Sequence, residues 1–531
     1  MSRLVLPAPD RHSIAGKVAE PDERTQIAVV GAGPAGCAAA ITAAKAGAQV
    51  VLIDENPVSP GLIGMDVPLH YGGRAGTAVQ TPERLVERVL EASPALAEAF
   101  EAGVDVRLST GVFGAWVNAP GFRAIAGGVL GLADETRSWT LGFERLILAT
   151  GARDLNFTFD GSDQPGVMGA QALHTLLADY DAFAGRRLVI LGSGALAVAT
   201  AELALARGLE VAALVEARAA PQADADAISA LEARGVAIIA GYVPLAAEGG
   251  PDGVTGLTLV ETAAAGKRRH LACDTVCLAI GAVPVIELFD VLGAKRTMAP
   301  ERGGHVPVLG VDGATSLAHV FAAGDCTGLG GDAAAQGRAA ARAALASLDL
   351  PVEAAGGDTL VVPAGPDALA YQLDWARALL ATGGPDVLAC ICEDVTRGDL
   401  LAVSPPRYLG WPSNYMAARN IATLAEDGPL DQDQIKRLTR ACMGACQARR
   451  CREQVALIMA LGGGVPATSI PLAGYRAPVR PLPLSVLADG NETPGMAQDW
   501  NVWFGIVTQW ISYDDIGTER EDEQLRAGMP Y

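Results

Sequence analysis

Two stretches of the chain alternate short apolar runs with an alanine-rich segment in the same order. The first begins with the apolar run Gln26–Val30, passes through the sequence GAGPAG and a helical segment to about Ala46, and ends with the run Gln49–Ile53. The second repeats this order, with strands predicted at Arg187–Leu191 and Val211–Val215 around the turn GSGALA. Apolar runs joined by helical segments predict parallel β-strands. We therefore expect an α/β protein with two related domains.

The glycine-rich turn of the first stretch has the spacing of a dinucleotide-binding fingerprint. Gly31 suits a tight turn, Gly33 allows a pyrophosphate to approach the backbone, and Gly36 allows the helix to pack closely on the strand. The N-terminus of the helix then presents unsatisfied N–H groups to phosphates. Asp54, with Glu55 beside it, lies where an acid accepts hydrogen bonds from ribose hydroxyls. The candidate cofactor-binding residues of this unit are Gly31, Gly33, Pro34, Ala35, Gly36, Asp54 and Glu55.

The second turn repeats the fingerprint with alanine in the third small position. Its acid, Glu216, favours a free ribose 2′-hydroxyl and repels a 2′-phosphate, so NAD or an adenine nucleotide is preferred over NADP. Arg218 lies nearby and weakens that preference. The residues expected to line this second nucleotide site are Gly192, Gly194, Ala195 and Glu216.

Three further apolar runs end in small residues. The sequences LILATG and VCLAIG follow the first and second units, and we expect them to be crossing points between domains. The sequence VFAAGDC precedes a segment of helical composition, and an aspartate at such a strand end can bind a ribityl or ribose hydroxyl. The candidate cofactor contacts in these runs are Thr150, Gly151, Gly324 and Asp325.

The order of these motifs resembles that of flavoproteins with two dinucleotide-binding domains, over about residues 26–350. In that family the first unit and the AAGD segment jointly hold FAD, and the middle unit is an inserted domain for NAD(P). The resemblance implies that Asp54 or Glu55 and Asp325 contact FAD, and that Glu216 belongs to the second nucleotide site. The layout that it implies is a lead-in at 1–25, a FAD-binding domain at 26–155 and 290–350, an inserted NAD-like domain at 156–289 and a linker at 351–385.

Charge and composition exclude several classes of function. Of the 531 residues 60 are acidic and 40 are basic, so the formal net charge is −20. This surplus opposes attraction to nucleic acid and anionic lipid. Proline and charged residues interrupt the start of the chain before a signal-peptide core, and no apolar run has the length of a transmembrane helix. We therefore expect a cytoplasmic protein with reduced cysteines.

Five of the nine cysteines lie in two short segments after the linker, Cys390–Thr396 and Thr439–Cys451. Buried core cysteines do not account for the spacings CxC, CxxxC and CxxxxC in loop-like sequence, so we expect metal ligands. Spacing alone leaves zinc and iron–sulfur centres open. A four-thiolate [2Fe–2S] centre is anionic, and this suits the basic residues around the second segment, which are Arg440, Arg449, Arg450 and Arg452.

The sequences CxCEDVT and TRxxMGxCQxRxC together resemble the bacterioferritin-associated-ferredoxin-like [2Fe–2S] domain. That domain is fused to flavoproteins in α subunits of bacterial amino-acid and opine dehydrogenases, including dye-linked proline and hydroxyproline dehydrogenases, octopine and nopaline oxidases and hydrogen cyanide synthase. The resemblance spans about residues 26–487. Cys442 falls where the family carries a small residue, so it is an alternative ligand or, as we favour, a bystander. The cluster ligands that the resemblance implies are Cys390, Cys392, Cys446 and Cys451.

The fold class expected from the motifs and the resemblance is α/β, with two Rossmann-like dinucleotide-binding domains, the second inserted in the first. A small, mainly α [2Fe–2S] domain follows at 386–465, and an extension follows at 466–531. Aromatic residues concentrate between Trp500 and Tyr513. This part of the extension is either a subunit-docking tail or packs back on the cluster domain.

The resemblance implies an electron-transfer α subunit of a heteromeric dehydrogenase that oxidises an opine, a proline-like or another secondary-amine amino acid. Substrate oxidation then takes place at the flavin of a FAD-containing β subunit. The resemblance also allows for FMN at the subunit interface and for a small third subunit. The second nucleotide is then NAD, or ATP or AMP held structurally.

Two other functions stay open at this point. One is a self-contained NADH-dependent flavoprotein reductase that passes electrons through its cluster to a carrier, and the other is a non-enzymatic role for the cluster. Spacing argues against disulfide reductase chemistry, because Cys37 and Cys326 have no neighbouring cysteine and Cys273 and Cys277 lie at a predicted strand entry. No histidine has a supporting carboxylate or motif, so the sequence assigns no catalytic residue.

Overall fold

The computed structural model describes residues 20–58, 74–118, 125, 127–263, 266–352, 365–406, 408, 419–488, 517–521 and 523. Most of the predicted lead-in and the aromatic segment 500–513 of the extension lie outside these ranges. No helix within them combines the length and the apolar composition needed to cross a bilayer.

The first part of the chain forms one α/β unit up to a short crossing strand. Its helices and strands are β1 Glu23–Val30, α1 Pro34–Lys45, β2 Val50–Ile53, α2 Pro82–Ala92, α3 Pro94–Glu101, β3 Asp105–Arg107, β4 Gly111–Trp116, β5 Gly128–Ala133, β6 Ser138–Leu148 and β7 Ala152–Asp154.

The middle of the chain forms a second unit of similar construction. Its helices and strands are β8 Val167–Gly169, α4 Ala170–His174, β9 Arg187–Leu191, α5 Ala195–Ala206, β10 Glu210–Glu216, α6 Ala225–Ala233, β11 Ala237–Ala240, β12 Tyr242–Gly250, β13 Gly253–Glu261, β14 Arg268–Ala272, β15 Thr275–Leu278 and β16 Ala282–Pro284. A π-helical turn, Thr175–Asp179, continues α4.

The chain then returns to the first unit and ends in a mainly helical region. The returning elements are α7 Glu287–Leu292, β17 Arg296–Ala299, β18 Gly304–Pro307, β19 Val320–Ala322 and α8 Ala333–Ala346. The C-terminal elements are α9 Ala368–Thr382, β20 Leu388–Cys390, β21 Val395–Thr396, α10 Arg397–Leu401, α11 Ile421–Asp427, α12 Gln432–Thr439, α13 Arg452–Gly463 and α14 Leu484–Ala488.

Two open sheets organise these elements. The first has the order β3-β2-β1-β6-β5-β4, and β19 pairs with the end of β6. The second has the order β11-β10-β9-β15-β8, with all neighbours parallel. All four residues of β2 and of β15 are buried, as expected for strands covered on both faces. The predicted α/β class is confirmed, and β7 pairs antiparallel with β16 where the chain crosses between the units.

The C-terminal region packs against both units. Cys390 and Ile458 belong to a hydrophobic core shared with strands β1 and β6 of the first sheet. Trp375 of α9 is fully buried among side chains of the second unit. Helix α9, which lies in the predicted linker, is therefore part of the core and joins the second unit to the C-terminal region.

Candidate functional site

The first glycine-rich turn joins β1 to α1 with the backbone geometry of the fingerprint. Gly31 has a φ of +102°, a conformation that favours glycine. A side chain at Gly36 would lie 1.7 Å from the Gly31 carbonyl oxygen, whereas one at Gly33 would meet no atom within 4 Å. The turn is closed where the helix packs on the strand and open where the N-terminus of α1 faces the space above it, which is the arrangement that accepts a pyrophosphate.

The two acids at the end of β2 have different partners. Asp54 accepts hydrogen bonds from the backbone N–H groups of Ala32, at 2.5 Å, and Asn56, at 2.7 Å. Glu55 forms an ion pair with Arg480 at 2.5 Å. Asp54 is therefore the acid that lies against the glycine-rich turn, while Glu55 faces the C-terminal region.

A cavity of about 450 Å³ opens over this turn. It brings together the first fingerprint with Thr150, Gly151 and Asp325, which the sequence predicts from two other motifs. The Asp325 carboxylate accepts a hydrogen bond from the Gly330 backbone N–H at 3.2 Å. The open turn, the ribose-facing acid and the second aspartate fit the phosphates and sugar hydroxyls of a flavin dinucleotide.

Positive side chains line the far wall of the cavity. Arg449, Arg450 and Arg480 come from the C-terminal region, and Arg153 comes from β7. No motif in the sequence predicts that these residues line the cavity above the first turn. Their charge suits an anionic dinucleotide, and Arg449 and Arg450 lie between Cys446 and Cys451 in the chain.

Arg153 belongs to a buried network of two cations and two anions below the cavity. Its guanidinium pairs with Glu287 at 3.2 Å and with Glu453 at 2.7 Å. The guanidinium of Arg452 lies 4.1 Å from the centre of the Tyr475 ring, and the Tyr475 hydroxyl donates to Glu287 at 3.0 Å. Although burial opposes it, Arg153 and Arg452 lower the pKa of both glutamates. The network joins the cavity wall to the first turn of α13.

Asp154 is a half-buried acid on the cavity wall. It accepts hydrogen bonds from the backbone N–H groups of Gln171, at 2.8 Å, and Ala172, at 3.3 Å. Burial raises the pKa of Asp154 to about 6, despite these bonds. The carboxyl group therefore holds a proton at mildly acid pH that the unfolded chain releases.

We expect Asp154→Asn to change the pH dependence of stability. The native state of the wild type binds more protons than the unfolded chain between about pH 4 and pH 6, so its free energy of unfolding falls by roughly 3 kcal/mol as the pH rises through that range. The variant lacks this decrease. Its free energy of unfolding relative to that of the wild type therefore increases as the pH rises through the same range. Urea denaturation at several pH values measures the difference, and parallel curves would contradict it.

The second glycine-rich turn repeats the geometry of the first. Gly192 has a φ of +111°, and a side chain at Gly194 would meet no atom within 4 Å. Helix α5 begins at Ala195. The acid at the strand end is Glu216, as expected, but its surroundings differ from those of an acid open to a ribose. Glu216 is buried and hydrogen-bonded to Ser193 and to Tyr371 of helix α9.

The five clustered cysteines lie together in the C-terminal region. The Cys451 sulfur is 3.6 Å from the sulfurs of both Cys390 and Cys442, and Cys446 lies close to both Cys392 and Cys451. Gly444 allows the two segments to meet, since a side chain there would lie 2.4 Å from the Cys392 β-carbon. None of the five cysteines forms a disulfide.

The sulfurs form one group with Cys451 at its centre. In the part of the chain that the structure describes, no three Cys, His, Asp or Glu side chains are arranged to hold one metal ion. Two thiolates on one tetrahedral metal, each about 2.3 Å from it, are about 3.8 Å apart, so the Cys390–Cys451 distance suits two ligands of the same ion. Cys442 is as close to Cys451 as Cys390 is, a proximity that the sequence spacing did not indicate.

The other four cysteines are buried in the two dinucleotide-binding units. Burial raises the pKa of Cys37 and of Cys273 to about 12 and that of Cys326 to about 11. Thiols with such pKa values are poor nucleophiles at neutral pH. These side chains therefore lack the activation that thiol–disulfide exchange requires.

Known proteins resemble this chain over most of its length. Residues 25–347 match the family described as Pyridine nucleotide-disulphide oxidoreductase. An opine oxidase subunit from Rhizobium meliloti (strain 1021) is 28% identical over 500 residues, which cover 87% of this chain and 98% of the relative. An overlap of that extent necessarily includes both cysteine segments.

Two further matches extend this picture. The alpha subunit of sarcosine oxidase from the same organism is 29% identical over 323 residues, which cover 60% of this chain and 30% of the relative. The crystal structure of L-proline dehydrogenase from P. horikoshii has a TM-score of 0.59 at 18% identity, with 88% of this chain and 80% of that chain covered. It shares the fold across both dinucleotide-binding units and beyond them.

The matched family residues contain both glycine-rich turns, most of the residues that line the cavity above the first turn, and the segment with Asp325. The resemblance to opine oxidase subunits and to a proline dehydrogenase, expected from the motifs, is confirmed. The chain is an oxidoreductase that belongs to the pyridine nucleotide-disulphide oxidoreductase family.

Proposed function

We propose that this chain is the electron-transfer α subunit of a heteromeric flavin and iron–sulfur dehydrogenase. Family membership implies FAD in the first unit, held by the turn at Gly31–Gly36, Asp54 and Asp325. The second group is a [2Fe–2S] cluster on Cys390, Cys392, Cys446 and Cys451. A flavin takes up electrons in pairs and such a cluster carries them singly, so the two groups together link two-electron to one-electron chemistry.

The observation that carries this proposal is that one short segment lines the cavity above the first turn and also carries two of the clustered cysteines. Arg449 and Arg450 line the cavity, and the same short segment carries Cys446 and Cys451. Arg153 of the cavity wall also pairs with Glu453, two residues after Cys451. These contacts support a short path between a cluster on these sulfurs and a flavin in the cavity, as electron transfer requires.

The charge around the sulfurs supports an iron–sulfur cluster. Cys451 contacts the sulfurs of Cys390 and Cys442, so both cysteine segments contribute to one sulfur group. A four-thiolate [2Fe–2S] centre is anionic. Arg449 and Arg450, which lie between Cys446 and Cys451 in the chain, supply positive charge beside it.

The substrate belongs to the secondary-amine amino acids, such as an opine or a proline-like compound. The relatives are named as subunits of opine oxidase and of sarcosine oxidase, and these names support both this class and a partner chain. We propose that a FAD-containing β subunit oxidises the amine, and that FMN binds at the interface with this chain. The same arrangement leaves a place for a small third subunit.

Separate and joint expression with the partner subunit tests the division of labour. The complex is expected to oxidise a secondary-amine amino acid with an artificial acceptor, whereas this chain alone is expected to hold flavin, iron and sulfide but to oxidise no amino acid. Cofactor extraction and electron paramagnetic resonance identify the bound groups. Full-rate oxidation by this chain alone, or a colourless or zinc-containing protein, would contradict the proposal.

A further inference from the structure

The acid of the second dinucleotide-binding unit is enclosed by the chain's own groups. Glu216 has no exposed surface. One carboxylate oxygen accepts a hydrogen bond from the Arg218 backbone N–H at 2.8 Å. The other accepts from the hydroxyls of Ser193 and Tyr371, the latter at 2.6 Å. In a dinucleotide complex this acid receives hydrogen bonds from ribose hydroxyls, so here protein groups already supply what a ribose would supply.

Tyr371 reaches the acid from helix α9 and also contacts the glycine-rich turn. The phenol donates to Glu216, and its oxygen lies close to the Ser193 backbone N–H. The hydroxyl thus lies between a turn amide and the strand-end acid, the two kinds of group that the fingerprint offers to a nucleotide. Burial and the neighbouring Glu216 raise the pKa of Tyr371, so the hydroxyl keeps its proton.

Helix α9 is held over the turn by contacts at Tyr371 and at the residues that follow it. The Arg218 guanidinium lies 5.0 Å from the centre of the Tyr371 ring and pairs with Asp374 at 2.8 Å. Trp375, which follows Asp374 in the helix, is fully buried. Lifting the helix would break the ion pair and expose an indole of large apolar area.

We propose that helix α9 closes the second unit against NAD(H), with Tyr371 in the place of the ribose that would contact Glu216. The second unit is then a structural domain that keeps the fingerprint without the ligand. NADH cannot deliver hydride through this site, so the flavin of this chain receives its electrons from another donor. The inference concerns this unit alone and does not depend on the iron–sulfur cluster or on the amine substrate.

Calorimetric titration of the purified full-length protein with NADH and NAD⁺ tests the closure. The wild type is expected to show no binding up to about 1 mM nucleotide, a limit of roughly −4 kcal/mol. Tyr371→Phe keeps the ring over the turn and is expected to stay closed. Tyr371→Ala removes both ring and hydroxyl and is expected to bind at least tenfold more tightly than the wild-type limit. Adding Glu216→Gln to Tyr371→Ala should weaken this new binding about tenfold, because the ribose loses its carboxylate acceptor.

Each outcome decides the inference, since binding is measured without turnover. Wild-type binding with a dissociation constant below about 1 mM that Glu216→Gln weakens would overturn it, as would a folded Tyr371→Ala protein that gains no binding. If Tyr371→Ala does not fold by circular dichroism, the wild-type titration decides alone. A protein that lacks iron yet excludes NADH would refute the proposed function and leave this inference standing.

Discussion

Replacing Cys451 by serine is expected to remove nearly all of the iron from the purified protein and to stop electron delivery to an external acceptor. Cys451 contacts the sulfurs of Cys390 and Cys442 and lies at the centre of the group. Losing its thiolate leaves one iron with a single protein ligand. Metal binding contributes folding free energy in such sites, so the C-terminal region should also unfold at a lower temperature. Iron and sulfide analysis, electron paramagnetic resonance and thermal denaturation measure these effects.

Two cysteine variants serve as matched controls. Cys273→Ser changes a buried thiol in the second unit and is expected to leave the iron content unchanged. Cys442→Ala is expected to retain the cluster, because four thiolates complete two irons, and to shift its resonance signal through the lost contact with Cys451. Full iron content in Cys451→Ser, or loss of iron in Cys273→Ser, would contradict the assigned ligands. Loss of iron in Cys442→Ala would make that residue a ligand instead of a bystander.

The second large effect is expected from Arg153→Met. Arg153 pairs with Glu287 and Glu453, both largely buried. Removing the cation leaves two carboxylates without its charge in a low-dielectric site, at a cost of about 3–5 kcal/mol. Arg153 and Arg452 lower the pKa of both glutamates, so the stability that the pairing contributes is present at neutral pH and is lost as the pH falls. Urea denaturation is expected to show a large loss of unfolding free energy in the variant at pH 7 and a smaller loss near pH 4.

The control for Arg153 is an exposed arginine in a similar pair. Arg137 lies 3.9 Å from Asp134, and its side chain is 60% exposed. Arg137→Met should change the free energy of unfolding by less than about 1 kcal/mol, since exposed pairs contribute little. Equal losses in the two variants, or a loss in Arg153→Met that grows in acid, would show that the buried network does not hold these elements together.

The positions of the cysteines reconcile the family description with the lack of activated thiols in the two dinucleotide-binding units. Members are described as disulphide oxidoreductases, yet Cys37, Cys273 and Cys326 are buried in separate places with raised pKa values. The clustered sulfurs lie beyond residue 347, outside the matched family region. The redox-active sulfur chemistry that we propose therefore belongs to the added C-terminal region, which the opine oxidase relative also covers.

The amino-acid sequence by itself determined the two strand–turn–helix units, their glycine-rich turns and the grouping of five cysteines in two segments. These features depend on residues close together in the chain, where apolar period and turn chemistry act locally. Predicted strands such as Arg187–Leu191 agree with the structure within a few residues.

Only the tertiary structure decided how distant residues complete these sites. Tyr371 meets Glu216 across 155 positions of sequence, and Arg153 meets Glu453 across 300. It also decided that Asp54 lies against the turn while Glu55 pairs with Arg480. Such contacts arise when separate elements pack together, and a side chain whose partner lies far along the chain leaves no periodic or spacing signal. The closing of the second unit could therefore be found only after folding brought helix α9 to its acid.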